Sequence, residues 1–469
     1  MAGSDAAVVG AGPNGLSAAV VLARAGRKVV LYEAQGGVGG GCASESLTLP
    51  GFVHDVCSAI HPMALASPLF RSLPLREHGL EWVEPSAMIA HPLDDQPAAI
   101  AERSLADTAA RLGADEGAYR RLIGSVVDAW PRIDDAILGP PRLPRHPFAL
   151  ARFGWDALKS AERLARAFGG DRARGLFAGI AAHGMVPLES PPTGAIALVL
   201  GALAHTHGWQ FPKGGAQQLS NALASYFRSL GGQIVTGAPV KNIDELAGTP
   251  TILCDLSPRP LLAIAGHALP EPYRRKLEQY RYGMGVFKVD WALAAPIPWR
   301  DTSVARAGTV HVGGTFEEIA ASERDIWRGR VSERPFVLLA QHTLFDRSRA
   351  PEGCHTAWAY CHVPAGSTTD MLPAIEAHIE RFAPGFRDRV LARHVMTPAD
   401  VERRNPNLVG GDIAMGVTDL RQMLVRPTLR WYRTPRKGLY ICSASTPPGV
   451  GVHGMCGYHA ARAALADTG

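Results

Sequence analysis

The residues with the plainest chemical reading stand near the start of the chain. Gly10-Ala11-Gly12-Pro13-Asn14-Gly15 forms a G-x-G-x-x-G run, and Glu33 ends the next apolar stretch. Each glycine has its own task in such a run. Gly10 permits a tight turn, Gly12 lets the backbone approach a pyrophosphate, and Gly15 lets a helix pack closely on a strand. A helix beginning at Pro13 and Asn14 would aim free amides and the positive end of its dipole at an anion. A carboxylate at Glu33 accepts hydrogen bonds from two ribose hydroxyls and repels a 2′-phosphate. The pattern predicts an FAD or NAD site and disfavours NADP.

A second glycine cluster, Gly36-Gly37-Val38-Gly39-Gly40-Gly41-Cys42, follows directly behind Glu33. A nicotinamide dehydrogenase has no need of it, so the cluster turns the reading towards flavin, with a further phosphate or ribityl contact. A third run, from Gly449 to Gly457, precedes the last helical pattern. Amides at that helix start would stabilise negative charge on the N1–C2=O edge of a reduced flavin. His453 in this run is the candidate catalytic residue, facing ring or substrate; the alternative is a histidine satisfied by backbone. Cys42 reads as small-residue packing. The cysteines at 42, 57, 254, 354, 361, 442 and 456 form no C-x-x-C pair, which argues against a disulfide scaffold, a zinc knuckle and disulfide-based flavin chemistry. His183, His205 and His207 have no carboxylate placed beside them by spacing, and no metal is expected. Arg421 or Arg426 near a flavin would favour an amine or amino-acid oxidase.

The elements that must position these residues are legible in outline. The run Ala6–Val9, the helix 13–24 ending near Gly26 and the strand 28–32 give the strand-turn-helix-strand context that a dinucleotide site requires. Helical patterning dominates 101–204, and 193–205 is apolar on most faces. After a turn at Pro212–Gly215 a helix is expected over 216–230, then strands at 233–236 and 251–255, with a short edge at 239–243. Alternating stretches at 286–291, 310–312, 335–340 and 355–362 predict a second, antiparallel-rich sheet with one face packed. The apolar segments 193–203 and 335–340, with Trp358, Tyr360 and Trp431, are candidates to line an apolar pocket.

Composition narrows the class. The chain has 469 residues, a formal charge of +5 and 46% hydrophobic residues. No Lys/Arg block exceeds two residues, so nucleic acid is not an expected partner. No run of 18 apolar residues predicts a spanning helix, and no basic start with a separate apolar stretch predicts a signal peptide. A cytoplasmic location is expected, with contact to a membrane surface left open. Oligomeric state is not legible.

The chain resembles the phytoene-desaturase-like FAD oxidoreductases, a branch of the amine-oxidase-like flavoproteins. The likeness rests on Val9–Leu16 with Glu33, on Gly39-Gly40, on Asn405-Pro406-Asn407-Leu408 with Gly410-Gly411-Asp412-Ile413, and on Leu439-Tyr440-Ile441-Cys442 with Ser445–Pro448 and the run 449–457. It implies an α/β fold, in which a Rossmann-type FAD domain is interleaved with a substrate domain of antiparallel-rich sheet and helices. The implied FAD domain comprises 1–75, 205–275 and 401–469, and the substrate domain comprises 76–204, largely helical, and 276–400. The resemblance assigns Gly10, Gly12, Pro13, Asn14, Gly15 and Glu33 to the ADP part of FAD. It places Gly39 and Gly40 by the ribityl and pyrophosphate, Val240 at the adenine, and Gly451, Val452 and Met455 against the isoalloxazine. The implied activity is hydride removal from a hydrophobic, isoprenoid or lipid-like small molecule, with oxygen, a quinone or another acceptor reoxidising the flavin. Amine or amino-acid oxidation, flavin-dependent isomerisation and non-catalytic flavin binding stay open. Two departures stand out: 243–251 is short for the group's hairpin, and Thr446-Pro447-Pro448-Gly449 carries proline where relatives turn on polar residues or glycine.

Overall fold

The computed structural model describes residues 3–468. A five-stranded parallel sheet runs in the order Leu439–Ile441, Thr251–Cys254, Ala6–Val9, Val29–Tyr32, Gln233–Val235. The first four of these are buried at every position. Parallel strands need cover on both faces, which is why they read as unbroken apolar runs. Val8, Val29 and Leu31 face one way, into a core with Leu16 and Leu219 of helices Pro13–Arg24 and Gln217–Ser229. Ala7, Val9, Val30 and Ile252 face the other, against Leu261 and Leu277 of helices Pro258–Ala265 and Glu271–Glu278.

The second sheet has seven strands, ordered Val390–Met396, Gly285–Leu293, His355–Val363, Val337–Ala340, Ala307–Val312, Ala87–His91, Ala99–Ala101. Its pairings are antiparallel except that of Ala307–Val312 with Ala87–His91. The expectation of one packed face does not hold. Gly285–Leu293 is buried at all nine positions. Phe287, Val289 and Trp291 pack on Ile375, Ile379 and Phe382 of helix Leu372–Phe382. Val286, with Trp358 and Tyr360 of the next strand, faces the main core instead of solvent. That inward second face carries the polar residues described below.

A helical layer lies over 105–206. Thr193–Thr206, apolar on nearly all sides, packs on helices Asp171–Ala182, Ser125–Ile137 and Pro147–Ala157. Its glycines allow the approach: a Cβ at Gly194 would come within 2.5 Å of the Lys159 carbonyl oxygen. No strand forms at 239–243. Pro239 lacks an amide to donate, and Asn242 caps a 3-10 turn at Ile243–Leu246 in a reciprocal box with Glu245.

Candidate active site

The first glycine run turns at the C-terminal end of strand Ala6–Val9, where ligands of open parallel sheets gather. Gly10 has φ +100°, and a Cβ at Gly15 would fall 1.9 Å from the Gly10 carbonyl oxygen. The second cluster folds over the first. The Gly39 amide donates to the Ala11 carbonyl at 2.9 Å, and a Cβ at Gly40 would lie 3.2 Å from the Gly12 Cα. Glu33 is held by backbone: its Oε2 accepts from the Ala11 amide at 2.7 Å and its Oε1 from the Gln35 amide at 2.9 Å. A carboxylate has about four acceptor sites, so capacity remains for two ribose hydroxyls. The Gly237 and Ala238 amides donate to the carbonyls of Gln35 and Glu33, at 2.8 and 2.9 Å. They tie the segment bearing the half-buried Val240 to this corner.

Beneath the loop lies Asp255, at the end of strand Thr251–Cys254. Its Oδ2 accepts from the Gly15 amide at 2.9 Å. Burial pushes its carboxyl up to about 7; the Gly15 amide opposes the rise and the Glu33 charge adds to it. Asp255 Oδ1 and Asn14 Oδ1 are buried without a hydrogen-bond partner, so polar capacity stays open around the loop. Asn407 docks the Asn405–Leu408 motif onto the same strand end. Its Nδ2 donates to the Asp255 carbonyl at 3.0 Å, and its Oδ1 accepts from the Ser257 amide at 2.7 Å.

Helix Met455–Thr468 crosses directly on the opening helix. A Cβ at Gly457 would sit 1.9 Å from the Asn14 carbonyl oxygen, and one at Gly454 would sit 2.2 Å from Ser17 Oγ. Gly451 and Val452 are half-buried and Met455 is buried. His453 is fully buried; burial pushes its imidazole down to about 4. Its Nδ1 accepts from the Met455 amide at 3.0 Å, and Ser67 Oγ donates to its carbonyl at 2.6 Å. The ring thus serves as a cap on the last helix, with Nε2 left unpartnered.

A narrow cavity opens against Gly40, Gly41 and Cys57 on one side and Val286, Trp358 and Tyr360 of the second sheet on the other. Trp431 and the segments 193–203 and 335–340 are absent from its lining. Lys288 is the buried cation in its wall. It forms an ion pair with Asp290, and its Nζ lies 5.9 Å from the centre of the Trp358 ring. Asp290 in turn lies 3.7 Å from His54 Nδ1 and 3.4 Å from His394 Nδ1. Burial pushes His54 down to about 4, against the pull of Asp290. Arg404, also in the wall, is paired with Glu45. No carboxylate lines this cavity among the described residues.

The arginine candidates do not reach it. Arg426 is buried and donates to the backbone carbonyls of Ala414 and Ala444, both at 2.8 Å; Arg421 is exposed. Cys42 is buried beside Ser58, and burial pushes its thiol up to about 12. Among the described residues no three His, Cys, Asp or Glu side chains converge as a metal site. His183 bonds His311 at 3.0 Å. The residues that sequence reading missed are Asp255, Lys288 and Asp290. The signal for the last two was present: in Val286-Phe287-Lys288-Val289-Asp290 the two charges fall on one face of a strand whose other positions are apolar.

Comparison with known proteins agrees with this geometry. Residues 8–73 match the model of the NAD(P)-binding Rossmann-like domain. The mouse protein called pyridine nucleotide-disulfide oxidoreductase domain-containing protein 2 is 26% identical, over 99% of this chain and 93% of that protein. A lycopene-forming phytoene desaturase from Paracoccus is 26% identical over 56% of each chain. The chain is an FAD-dependent oxidoreductase that resembles the phytoene desaturases. Solved structures share the fold of this oxidoreductase: one from Methanosarcina mazei at TM-score 0.67 and 17% identity, covering 98% of this chain and 99% of that one, and a putrescine oxidase at TM-score 0.65 and 18% identity, covering 99% and 98%.

Proposed function

We propose that this oxidoreductase dehydrogenates a largely apolar small molecule in the cavity beside Gly40 and Gly41. In this reading Gly10, Gly12, Pro13, Asn14, Gly15 and Glu33 hold the ADP part of FAD. Gly39 and Gly40 lie by the pyrophosphate and ribityl chain, Val240 meets the adenine, and Gly451, Val452 and Met455 abut the isoalloxazine. FAD held by these residues would supply a hydride acceptor for a substrate carbon and a route for the electron pair to an external acceptor such as oxygen or a quinone. The protein's own share is positioning and exclusion of water. Val286, Trp358, Tyr360 and Met396 present an apolar wall, which favours a hydrocarbon body over water.

The observation that carries the reading is the charge pattern of that wall. Its two cations, Lys288 and Arg404, already hold the neighbouring carboxylates Asp290 and Glu45, so a protonated amine finds no free counter-ion there. Arg426, the best-placed clamp for an amino-acid carboxylate, is occupied by carbonyls. The test is anaerobic mixing of the holoenzyme with a detergent-dispersed polyene and, separately, with putrescine and cyclohexylamine. Bleaching of the flavin by the polyene, weakened in Trp358→Ala, is expected. Bleaching by the amines alone would overturn the proposal in favour of amine oxidation.

A further inference from the structure

Strand His355–Val363 turns Trp358, Tyr360 and His362 to the same inward face, because side chains two apart share one side of a strand. The first two line the cavity. His362 is the next step along that face, its ring centre 5.6 Å from that of Tyr360. Across the sheet it stands directly opposite Val286, another wall residue. Such cross-strand partners hold their Cβ atoms about 4.5–5.5 Å apart. His362 therefore stands at the end of the cavity bordered by Tyr360 and Val286.

Helix Phe316–Trp327 packs over this part of the strand and brings Glu323 onto the ring. Glu323 Oε2 lies 2.8 Å from His362 Nδ1, and both side chains are fully buried. A carboxylate can only accept, so Nδ1 carries the hydrogen of this bond and Nε2 keeps its lone pair. Nε2, on the side of the ring away from Glu323, is buried without a partner; Trp358 Nε1, on the same strand face, is unpartnered too. Buried polar atoms are ordinarily paired, and the exceptions call for a ligand or a catalytic role. A carboxylate that fixes one ring nitrogen and leaves the other free to accept is the arrangement of a general base. The cavity wall supplies no such group. Lys288 and Arg404 are held by Asp290 and Glu45. Burial pushes the Cys57 thiol up to about 11 and raises the Tyr360 hydroxyl well above its ordinary value.

We infer that His362 Nε2 is the base that takes the substrate proton, with Glu323 as its positioning residue; this rests on the dehydrogenation proposed above. Making a C=C bond removes a hydride from one carbon and a proton from its neighbour. As the hydride departs towards the flavin, positive charge develops on the carbon chain and acidifies the neighbouring C–H. That proton goes to Nε2, and the electron pair of the broken C–H bond becomes the second bond between the two carbons. The Glu323 carboxylate offsets the charge the imidazole gains. The carbon chain is oxidised by two electrons. Oxygen or a quinone is reduced by the hydride equivalent and the proton together, as peroxide or quinol, and His362 returns to its starting state.

The test is anaerobic mixing of the holoenzyme and its variants with the detergent-dispersed polyene, with putrescine and with cyclohexylamine. His362→Asn keeps an amide to donate to Glu323 and removes the base. Its flavin should bleach at least about 100-fold more slowly, at unchanged FAD content and thermal midpoint. Glu323→Gln keeps an acceptor for Nδ1 and removes the charge. It should slow the maximal rate about tenfold with the half-saturating polyene concentration unchanged, and it carries the test alone if His362→Asn does not fold. A readout free of turnover is the nitrogen-15 spectrum of histidine-labelled oxidised holoenzyme. His362→Asn should remove from it a ring protonated at Nδ1 and bare at Nε2. Unchanged bleaching in the variants, or a missing ring that carries its hydrogen on Nε2, would overturn the inference. Bleaching by the amines alone, slowed in His362→Asn, would overturn the apolar-substrate reading and support the base. A parent bleached by none of the three overturns both.

Discussion

Asp255 shows how a single carboxyl can set the behaviour of the cofactor loop. Its ordinary value near 3.8 rises to about 7 in the fold, chiefly through burial. A carboxyl raised in the folded state contributes stability below its unfolded value, and that contribution is lost as pH climbs through the folded value. Between about pH 4 and 7 the apoprotein therefore loses stability through this group. Asp255→Asn removes the dependence. Urea midpoints of the apoproteins at pH 5 and pH 8 should show the variant gaining on the parent by a few kcal/mol between the two, since each tenfold change in proton affinity is worth about 1.4 kcal/mol. An advantage equal at both pH values would refute the assignment. Much of this corner was legible from residue types alone, because Gly10, Gly15 and Glu33 have few interchangeable substitutes for their tasks. Asp255 was not. An acid ending the strand Thr251–Cys254 reads the same in sequence whether it meets water or the underside of a glycine loop. Only the crossing of Gly15 over it decides.

At the scale of elements, the contact of the opening helix with the last one carries the site. Gly457 permits it, since any Cβ there would meet the Asn14 carbonyl oxygen at 1.9 Å. That obstacle is backbone and has no rotamer to yield. Gly457→Ala should cost about 1–3 kcal/mol in urea unfolding and lower the FAD content of the purified protein. Gly154→Ala is the contrast. A Cβ there meets nothing within 4 Å, so the better helix former should stabilise by about 0.5–1 kcal/mol. Sequence pattern found the short buried strands of the parallel sheet because they are nearly unbroken apolar runs. It missed Ala99–Ala101, three residues with no alternation to display, and Val390–Met396, where arginine and histidine interrupt the pattern. Helix Phe316–Trp327 was missed in spite of a readable signal, the capping box of Thr315 and Glu318. The second sheet's inward polar face went unseen because alternation alone does not tell solvent from a cavity.

Across the whole molecule, buried histidines dominate the response to acid. Burial pushes His54, His61, His91, His205, His378, His453 and His459 each down to about 4, and His183 and His342 to about 3. A base lowered in the folded state leaves the unfolded chain holding more protons below about pH 6.5, so stability falls as pH drops from there towards 4. The urea midpoint should fall steeply between pH 7 and pH 5. A flat midpoint over that range would show that these rings are protonated in place. The interleaved order of the two sheets was anticipated only through the family resemblance; composition and periodicity do not say which distant strands become neighbours.

The parallel sheet also has a calendar. Strand Ala6–Val9 leaves the ribosome long before strand Leu439–Ile441 and the helix carrying Gly457. At roughly 5–20 residues per second of synthesis, the nascent chain holds its glycine loop uncovered for tens of seconds. On the proposed reading, a cofactor grip shared between these distant segments would close only after the later one has been made, so flavin capture would follow well behind the glycine loop. A product lacking helix Met455–Thr468 is, on the same reading, expected to hold no flavin.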